Sequence, residues 1–256
     1  MPEEIMMEAQ NLVKSFGGLV AVDGVSLQVK KYAMHAIIGP NGAGKTTLFN
    51  LLSGMMPPTS GKILYAGKDI THLAPQKRAS LGIGRSFQIT NIFQNLTVLE
   101  NIRLGVQALG KHSMELFRPA SEFMQYIEKA HEVLKIVGLE GREFVLARNL
   151  AHGEKRKLEL GIMLAGEPEL LLFDEPTAGM SSEQVPELIE IINRVVRERR
   201  KTAILVEHRM DMVMSISDTI TVMNLGKVLA EGTPREIAQN KQVQAAYLGD
   251  LYGDLA

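Results

Sequence analysis

Hydrophobic and polar positions alternate along the first part of the chain as they do in β-strands. Val25, Leu27 and Val29 are separated by single polar residues, the period of two that is typical of a half-buried strand. A mostly apolar run at 33–38 ends in a Gly-Pro pair, which predicts a buried strand followed by a turn. The segment 63–70, with Ala-Gly-Lys in its middle, predicts a β-hairpin.

From about residue 89 to residue 150 the pattern changes to a helical period. Apolar side chains recur there at steps of four, three, four and three residues: Phe123, Ile127, Ala130, Leu134 and Val137. This spacing is one face of a helix, and Gly138 is placed to end it. The segment 89–150 is therefore predicted to be a mainly helical insert.

After residue 150 the pattern of alternating strands and helices returns. Apolar runs at 170–173 and 203–206 predict buried strands, and shorter runs at 220–223 and 228–229 predict two more. A helical period lies between the first two runs, at Leu188, Ile191, Ile192 and Val195. Strands that alternate with helices imply a parallel sheet that is covered on both faces.

Composition limits the class of protein without naming it. The 256 residues, 45% hydrophobic and 22% charged, are typical of a globular protein of one or two domains. The absence of cysteine excludes disulfides, cysteine-ligated metals and thiol catalysis. A formal charge of -1 gives no basic footprint for nucleic acid. The acidic start is unlike a signal peptide, and no apolar run approaches the ~18–20 residues that span a bilayer.

One short segment predicts the chemistry. It fits the pattern G-x-x-x-x-G-K-[ST] and consists of Gly39, Pro40, Asn41, Gly42, Ala43, Gly44, Lys45 and Thr46. Glycines let a backbone wrap a phosphate, and several N–H groups then meet the anion at a helix N-terminus. Lys45 is expected to reach the β- and γ-phosphates, and the Thr46 hydroxyl to bind Mg²⁺. An apolar strand precedes the segment, and a helical pattern at 45–52 follows it and stops at Gly54.

Two carboxylates follow the apolar run at 170–173. Asp174, at the end of a buried strand beside a phosphate loop, is expected to hold Mg²⁺ through water, and Glu175 to orient or deprotonate an attacking water. An apolar run followed by Asp-Glu would be a weak signal alone. The phosphate loop in the same chain makes the pair a candidate hydrolytic site.

The ordered set of motifs resembles the nucleotide-binding subunits of ABC transporters over nearly the whole chain. The set comprises the phosphate loop at 39–47, Gln88 in Ser-Phe-Gln, a signature-like segment at 150–154, the strand and carboxylates at 170–175, the loop at 176–181, and Val-Glu-His at 206–208. The resemblance implies an α/β phosphate-loop NTPase core with a parallel sheet, an N-terminal antiparallel β subdomain and an inserted helical subdomain. The implied partition is 1–88 and 151–256 for the core and 89–150 for the helical subdomain.

The resemblance also implies a role for single residues. Phe16 would stack on adenine, or be a core residue, and Val22 would pack beside the base, or only in the core. Gln88 would contact Mg²⁺ and the attacking water, Glu175 would be the general base, and His208 would contact the γ-phosphate. The other implied contacts with ATP are those of the phosphate loop, including Thr47, and of the signature residues Ala151, His152, Gly153 and Glu154.

Two positions depart from the family pattern. The signature usually offers a serine hydroxyl to the ATP held by the other subunit, but this chain has Ala151. We therefore expect weaker ATP-driven pairing, because a neutral hydrogen bond contributes about 0.5–1.5 kcal/mol. Ser181 stands where the loop after the carboxylates commonly has Asp, which puts communication between subunits at that loop in doubt.

Within the family, the segments Arg-Ser-Phe-Gln at 85–88 and Glu-Gly-Thr-Pro at 231–234 are most similar to those of branched-chain amino acid importers and their urea or amide relatives. The implied partners are a second ATPase subunit, identical or paralogous and paired head to tail, a membrane permease and, indirectly, a solute-binding protein. The implied location is the cytoplasmic face of the inner (plasma) membrane. A cytosolic ABC ATPase that serves a soluble assembly complex without transport would share every nucleotide motif and stays open.

Two further expectations concern surfaces. The basic run Lys155-Arg156-Lys157 is expected to be a solvated helix face rather than a nucleic-acid site. The segment 87–104 is expected to contact the permease, with the alternative that its apolar residues are buried packing.

Overall fold

The computed structural model describes residues 4–86, 92–108 and 124–253. Its strands in chain order are β1 (Ile5–Phe16), β2 (Leu19–Lys30), β3 (Met34–Ile38), β4 (Ser60–Tyr65), β5 (Lys68–Asp69), β6 (Ile83–Arg85), β7 (Leu170–Asp174), β8 (Thr202–Val206), β9 (Thr219–Asn224) and β10 (Lys227–Gly232). The helices are α1 (Lys45–Ser53), α2 (Pro75–Ser80), α3 (Val98–Ala108), α4 (Met124–Ile136), α5 (His152–Ala165), α6 (Val185–Glu198), α7 (Met210–Ile216), α8 (Pro234–Gln239) and α9 (Lys241–Gly253).

The strands form two sheets. One has four antiparallel strands in the order β2-β1-β4-β5, and the other has six in the order β10-β9-β3-β8-β7-β6. In the six-stranded sheet neighbouring strands from β9 to β6 run parallel, and β10 pairs antiparallel to β9. The predicted α/β class, with a parallel sheet and an N-terminal antiparallel sheet, is confirmed.

The central strands bury both of their faces. In β7, Leu171 and Phe173 belong to one hydrophobic cluster, and Leu170 and Leu172 belong to another on the opposite face. Successive side chains of a strand point to opposite faces, so a strand covered on both sides is apolar throughout. This explains why 170–173 is an uninterrupted apolar run, whereas the buried positions of β2 alternate with exposed ones.

The helical segment packs on the helix that follows it. α3, α4 and α5 contribute to one cluster, and a Cβ at Gly161 of α5 would lie 3.1 Å from Ile102 and 3.5 Å from Val133. The predicted helix corresponds to α4, and Gly138 follows its end with a φ of 66°. Phe123, the first residue of the predicted face, lies outside the described residues. The subdomain boundary at residue 150 stays a prediction.

The register of the large sheet places the candidate site. β8 lies between β3 and β7, and Val206 of β8 pairs with Ile37 on one side and with Asp174 on the other. The segments that leave these strands therefore start at the same edge. The edge is formed by the carboxyl ends of parallel strands, where open α/β sheets bind their ligands.

Candidate active site

The phosphate loop has a backbone that only glycine fits at two positions. Gly39 has a φ of 152°, and a Cβ there would lie 2.2 Å from the carbonyl oxygen of Met223. Gly44 has a φ of 96°, and its Cβ would lie 2.3 Å from the carbonyl oxygen of Ala21. The loop is thus packed against β9 and β2, and its shape depends on glycine at both ends.

The loop leads into α1 with its helix N-terminus open. Gly44, the N-cap residue, gives no side-chain cap, and the first turn of α1 has no acidic residue. The N–H groups of a first turn have no partner within the helix, so they are available to an anion. Lys45 is 5% exposed, and its Nζ donates to the carbonyl oxygens of Gly39 at 2.7 Å and Pro40 at 2.8 Å. Its ammonium group is therefore held at the loop.

Asp174 is buried at the end of β7. It is 1% exposed, its backbone N–H donates to Ser86 Oγ at 3.1 Å, and its Oδ2 lies 3.4 Å from Arg85 Nη2. Burial raises the pKa of the Asp174 carboxyl, and the nearby Arg85 charge opposes that rise. Its other oxygen, Oδ1, is buried without a hydrogen-bond partner.

The oxygen donors fit the predicted magnesium ion. Mg²⁺ prefers hard oxygen ligands and usually combines one or two protein groups with waters and substrate phosphates. The unpartnered Oδ1 of Asp174 and the exposed Thr46 in the first turn of α1 supply such oxygens. Within the described ranges no three His, Cys, Asp or Glu side chains are grouped so as to hold a metal by themselves.

Glu175 and His208 form a pair at the same edge. His208 Nε2 and Glu175 Oε1 are 2.9 Å apart, and both side chains are partly exposed. Glu175 has a φ of 48°, a left-handed conformation that is uncommon for a residue other than glycine. Its backbone N–H donates to the carbonyl oxygen of Val206 at 2.9 Å, which ties it to the end of β8.

Glu207 is a site residue to which the sequence analysis gave no role. It is 3% exposed; its Oε1 accepts from the N–H of Thr177 at 3.1 Å and from the Thr177 hydroxyl at 2.5 Å, and its Oε2 accepts from the N–H of His208 at 3.0 Å. It therefore joins the loop after β7 to the loop after β8. The available signal was a charged residue directly after a buried strand.

The signature residues form the start of α5. Ala151 is its N-cap residue, and Glu154 Oε2 accepts from the N–H of Ala151 at 3.0 Å. This is half of a capping box, because alanine has no side-chain acceptor. Glu154 also pairs with Arg142 at 2.9 Å. The exposed N-terminus of α5 is thus left without a side-chain cap.

The signature also contacts the loop that follows the carboxylates. A Cβ at Gly179 would lie 3.2 Å from Cε1 of His152, and a Cβ at Gly153 would lie 3.0 Å from the side chain of Gln184. The N-terminus of α5 and the segment after Glu175 are therefore in contact.

The expectation of a solvated basic face beside the signature was wrong for two of its three residues. Arg156 and Lys157 are each 9% exposed. Arg156 pairs with Glu159 at 2.9 Å and donates to the carbonyl oxygen of Ala178 at 3.2 Å, and Lys157 pairs with Glu187 at 2.5 Å. These contacts hold α5 to α6 and to the loop after β7, which the local sequence could not show.

The predicted adenine contacts differ in exposure. Phe16 is 48% exposed, so it is a surface residue rather than a core one, and Lys14 Nζ lies over its ring, 5.3 Å from the centroid. Val22 is fully buried in a hydrophobic cluster. This agrees with the alternative given above, in which Val22 packs only in the core. Gln88 lies outside the described residues.

A groove of about 630 Å³ lies between the core and the helical segment. It is lined by residues from α2, β6, α3 and α5, among them Ala79, Arg85, Gly105, Ile162 and Met163.

Among the residues that the structure describes, no helix has both the length and the apolar character needed to cross a membrane.

The fold, the phosphate loop and the carboxylates at the end of β7 define a phosphate-loop ATPase. Comparison with known proteins shows to which family of these ATPases the chain belongs. Residues 22–178 match the family described as ABC transporter, and residues 227–251 match the one described as branched-chain amino acid ATP-binding cassette transporter. The chain is 39% identical over 250 residues to the high-affinity branched-chain amino acid transport ATP-binding protein LivG of Salmonella typhimurium, with 96% of this chain and 98% of the relative covered.

Solved structures give the same result. The ADP conformation of MJ1267, an ATP-binding cassette of an ABC transporter, is similar with a TM-score of 0.85 and 30% identity over 96% of this chain and 99% of that one. The dimeric structure of MJ0796, a bacterial ABC transporter cassette, is similar with a TM-score of 0.77 and 25% identity over 90% and 99%. This chain belongs to the ABC transporter family, as one of its ATP-hydrolysing subunits, and the resemblance drawn from the motifs is confirmed.

Proposed function

We propose that this chain powers the import of branched-chain amino acids, or of a related small polar solute, by hydrolysing MgATP. The observation that carries the hydrolytic part is the alignment of β3, β7 and β8, which brings the phosphate loop, Asp174, Glu175 and His208 to one edge. The solute is supported by the 39% identity to LivG and by the match of 227–251.

The phosphate loop is proposed to bind the triphosphate. Anions are stabilised at a helix N-terminus by free N–H groups and by the helix dipole, and α1 offers both. The Lys45 ammonium group would exchange its two carbonyl acceptors for phosphate oxygens. Thr46, Asp174 and Gln88 would hold Mg²⁺, and the ion when bound supplies neutralisation of phosphate charge.

Glu175 is proposed as the general base. A carboxylate that orients or deprotonates water must be held within reach of it, and the 2.9 Å contact with His208 holds the Glu175 side chain. His208 would in turn contact the γ-phosphate, so that the position of the Glu175–His208 pair would depend on whether a triphosphate is bound. Phe16 would stack on the adenine.

The second half of the site is proposed to come from another copy of this chain or from a paralogue. The dimeric MJ0796 cassette supports pairing of such subunits. The signature segment 151–154 at the uncapped N-terminus of α5 suits an anion of a partner. In a head-to-tail dimer it would cover the ATP that the partner's phosphate loop holds, and binding of two nucleotides would close the pair.

The groove between the core and the helical segment is proposed to hold a cytoplasmic helix of a membrane permease. Its lining is largely apolar, with Met55, Ala79, Ala108, Ile162 and Met163 among its residues. Part of the segment 87–104 that was expected at this contact, residues 87–91, lies outside the described residues. In the remainder Ile92 and Val98 are buried, whereas Phe93 is 58% exposed. Through the permease the chain would sit at the cytoplasmic face of the inner membrane and serve a solute-binding protein. The family and its relatives support this assembly over a soluble one.

The test is transport by a reconstituted complex. The chain is purified with the membrane proteins that co-purify with it and reconstituted in liposomes, with MgATP inside and the labelled solute and the solute-binding protein outside. We expect uptake of labelled leucine or valine that depends on ATP and is lost with Glu175→Gln, and no uptake of glutamate as a control. Isolation in a complex without membrane proteins, with no solute uptake, would refute the proposal.

A further inference from the structure

Arg85 lies between the two elements that carry the proposed magnesium ligands. It ends β6, which pairs with β7 alongside Leu172. Its guanidinium carbon is 4.9 Å from the centroid of the Phe49 ring, its Nη1 donates to Ser53 Oγ, and its Nη2 is 3.4 Å from Asp174 Oδ2. One side chain therefore contacts both α1 and the end of β7.

The contacts on α1 come from one face of the helix. Phe49 and Ser53 are four residues apart and so lie next to each other on the helix surface. The same helix begins with Lys45 and Thr46. Because α1 is a rigid element, fixing its Phe49 and Ser53 face against Asp174 fixes the placement of Thr46 relative to Asp174 as well.

Burial makes this contact important for Asp174. The Asp174 side chain is 1% exposed and that of Arg85 is 16% exposed, so water does little to screen the pair. Removing one member of a buried ion pair leaves an uncompensated buried charge, which is strongly unfavourable. In the part of the chain that the structure describes, Arg85 is the cationic side chain that contacts Asp174. With Oδ2 facing Arg85, Oδ1 is the oxygen left for a ligand.

We propose that Arg85 is a positioning residue for the Mg²⁺ of MgATP, which it serves by holding the Asp174 carboxylate and α1 in fixed relation. This inference rests on the proposed function, since it concerns the ion of that site. Groups that hydrogen-bond a ligating carboxylate typically change metal affinity by about 10–100-fold when mutated. Arg85 does not touch the nucleotide in this role.

The experiment separates nucleotide binding from the magnesium dependence of that binding. Binding of a fluorescent ATP analogue is measured in EDTA and over a Mg²⁺ titration for the wild type, Arg85→Met and Arg85→Lys. We expect Arg85→Met to bind the analogue in EDTA within about two-fold of wild type and to need at least about ten-fold more Mg²⁺ for half-saturation. Arg85→Lys, which keeps the charge, is expected to recover part of that difference.

The control is Arg197→Met, which removes an arginine–aspartate pair that is more exposed than Arg85–Asp174. Arg197 also pairs with an aspartate, Asp218, at 2.9 Å. Asp218 Oδ2 accepts from the N–H of Met34 at the start of β3, so this pair lies at the opposite edge of the sheet. The control is expected to keep the wild-type Mg²⁺ dependence.

The outcomes separate the two proposals. Wild-type Mg²⁺ dependence in Arg85→Met would overturn the role of Arg85 while the ATPase assignment stands. A wild-type chain that fails to bind the analogue would overturn the proposed function instead. Should Arg85→Met not fold, Ser53→Ala removes the hydrogen bond from Arg85 to α1 and keeps the contact with Phe49; it also removes the bond from the Ser53 hydroxyl to the carbonyl oxygen of Asn50 at 3.3 Å. This variant is expected to raise the Mg²⁺ requirement in the same direction, and an unchanged requirement would count against the proposal.

Discussion

Glu175 and His208 are brought together by strand pairing rather than by proximity in sequence. They are 33 residues apart, and the parallel pairing of β7 with β8 brings them within 2.9 Å. Each follows an apolar strand directly or after one residue, and for that reason the sequence could identify them. Their contact, however, depends on the sheet.

We expect Glu175→Gln to lose turnover while keeping nucleotide binding. Glutamine has the size of glutamate but cannot accept a proton, and general-base catalysis contributes about 10²–10⁴-fold. The measurement is phosphate release at saturating MgATP together with binding of the fluorescent analogue. Hydrolysis within about two-fold of wild type would refute the general-base role.

His35 belongs to a polar chain that spans three strands and runs from the core, at His35 and Thr221, to the exposed Glu231. Its Nε2 is 2.8 Å from Thr221 Oγ1, and the Thr221 hydroxyl donates to Glu231 Oε2 at 2.7 Å. A hydroxyl has one proton to donate, so His35 is the donor to Thr221 and carries its proton on Nε2. Burial lowers the pKa of His35 from 6.5 to about 4.

This pKa predicts a loss of stability in mild acid. In the unfolded chain His35 is protonated below pH 6.5. In the folded chain it stays neutral until the pH falls to about 4. The free energy of unfolding should therefore fall by about 2 kcal/mol from this residue between pH 7.5 and pH 5. Urea denaturation at both pH values should show that loss in the wild type and its absence in His35→Gln.

The control for this prediction is His72→Gln, because His72 is exposed. It should follow the wild-type pH dependence. An identical pH dependence of stability in His35→Gln and the wild type would show that His35 does not titrate differently in the folded chain.

At the scale of elements, the N-termini of α1 and α5 share a property. Neither has a side-chain cap, since their N-cap residues are Gly44 and Ala151. Most helices satisfy these N–H groups with Ser, Thr, Asp or Asn. The N-termini of α2, α6 and α7 have no side-chain cap either. What sets α1 and α5 apart is therefore the segment at each start, which is the phosphate loop in α1 and the signature in α5.

Ala151→Ser tests the contact across the dimer. The backbone at Ala151, with φ −63° and ψ 160°, already has the extended conformation of an N-cap. We expect the serine hydroxyl to strengthen ATP-dependent pairing by about 0.5–1.5 kcal/mol per site. Sedimentation of the Glu175→Gln background with and without ATP measures this.

Ala151→Gly is the control, because glycine is tolerated at an N-cap and adds no hydroxyl. It should leave the dimer affinity near that of the parent. If Ala151→Ser has no effect either, the missing hydroxyl does not limit pairing.

The C-terminus of α1 depends on a contact that no local pattern indicates. Arg78 of α2 is 1% exposed, and its guanidinium donates to the carbonyl oxygens of Leu51, Leu52, Ile70, Thr71 and Leu73. A cation is stabilised at the C-terminus of a helix. α1 therefore has an open N-terminus for the ligand and a C-terminus that is closed by another element.

At the scale of the whole molecule, the phosphate loop and the signature are expected to act on different nucleotides. Hydrolysis should then require two chains. We expect the specific ATPase activity of the isolated chain to fall on dilution in proportion to the dimer fraction. Binding of the nucleotide analogue, measured at a saturating concentration because pairing and nucleotide binding are linked, should stay at one per chain.

Sedimentation in MgATP gives the dimer fraction at each concentration. A specific activity that is the same in the monomeric and dimeric ranges would show that one chain holds the full hydrolytic site. That result would leave the family assignment intact but would remove the role proposed for 151–154.

The sequence by itself determined the local features of this protein. The period of two in β2, the apolar run of β7, the glycine pattern of 39–44 and the residues after the strands predicted the elements, the phosphate loop and the carboxylates, because each depends on a few consecutive residues. The family followed from the order of these motifs.

Only the tertiary structure decided which distant groups meet. It aligned the ends of β3, β7 and β8, buried Arg156 and Lys157 that the sequence placed in solvent, and brought Arg85 to Asp174 across 89 residues. A charged side chain is stable inside a protein only where oppositely charged or hydrogen-bonding groups surround it. Those partners come from other elements, so the packing of the elements decided the environment of each charge.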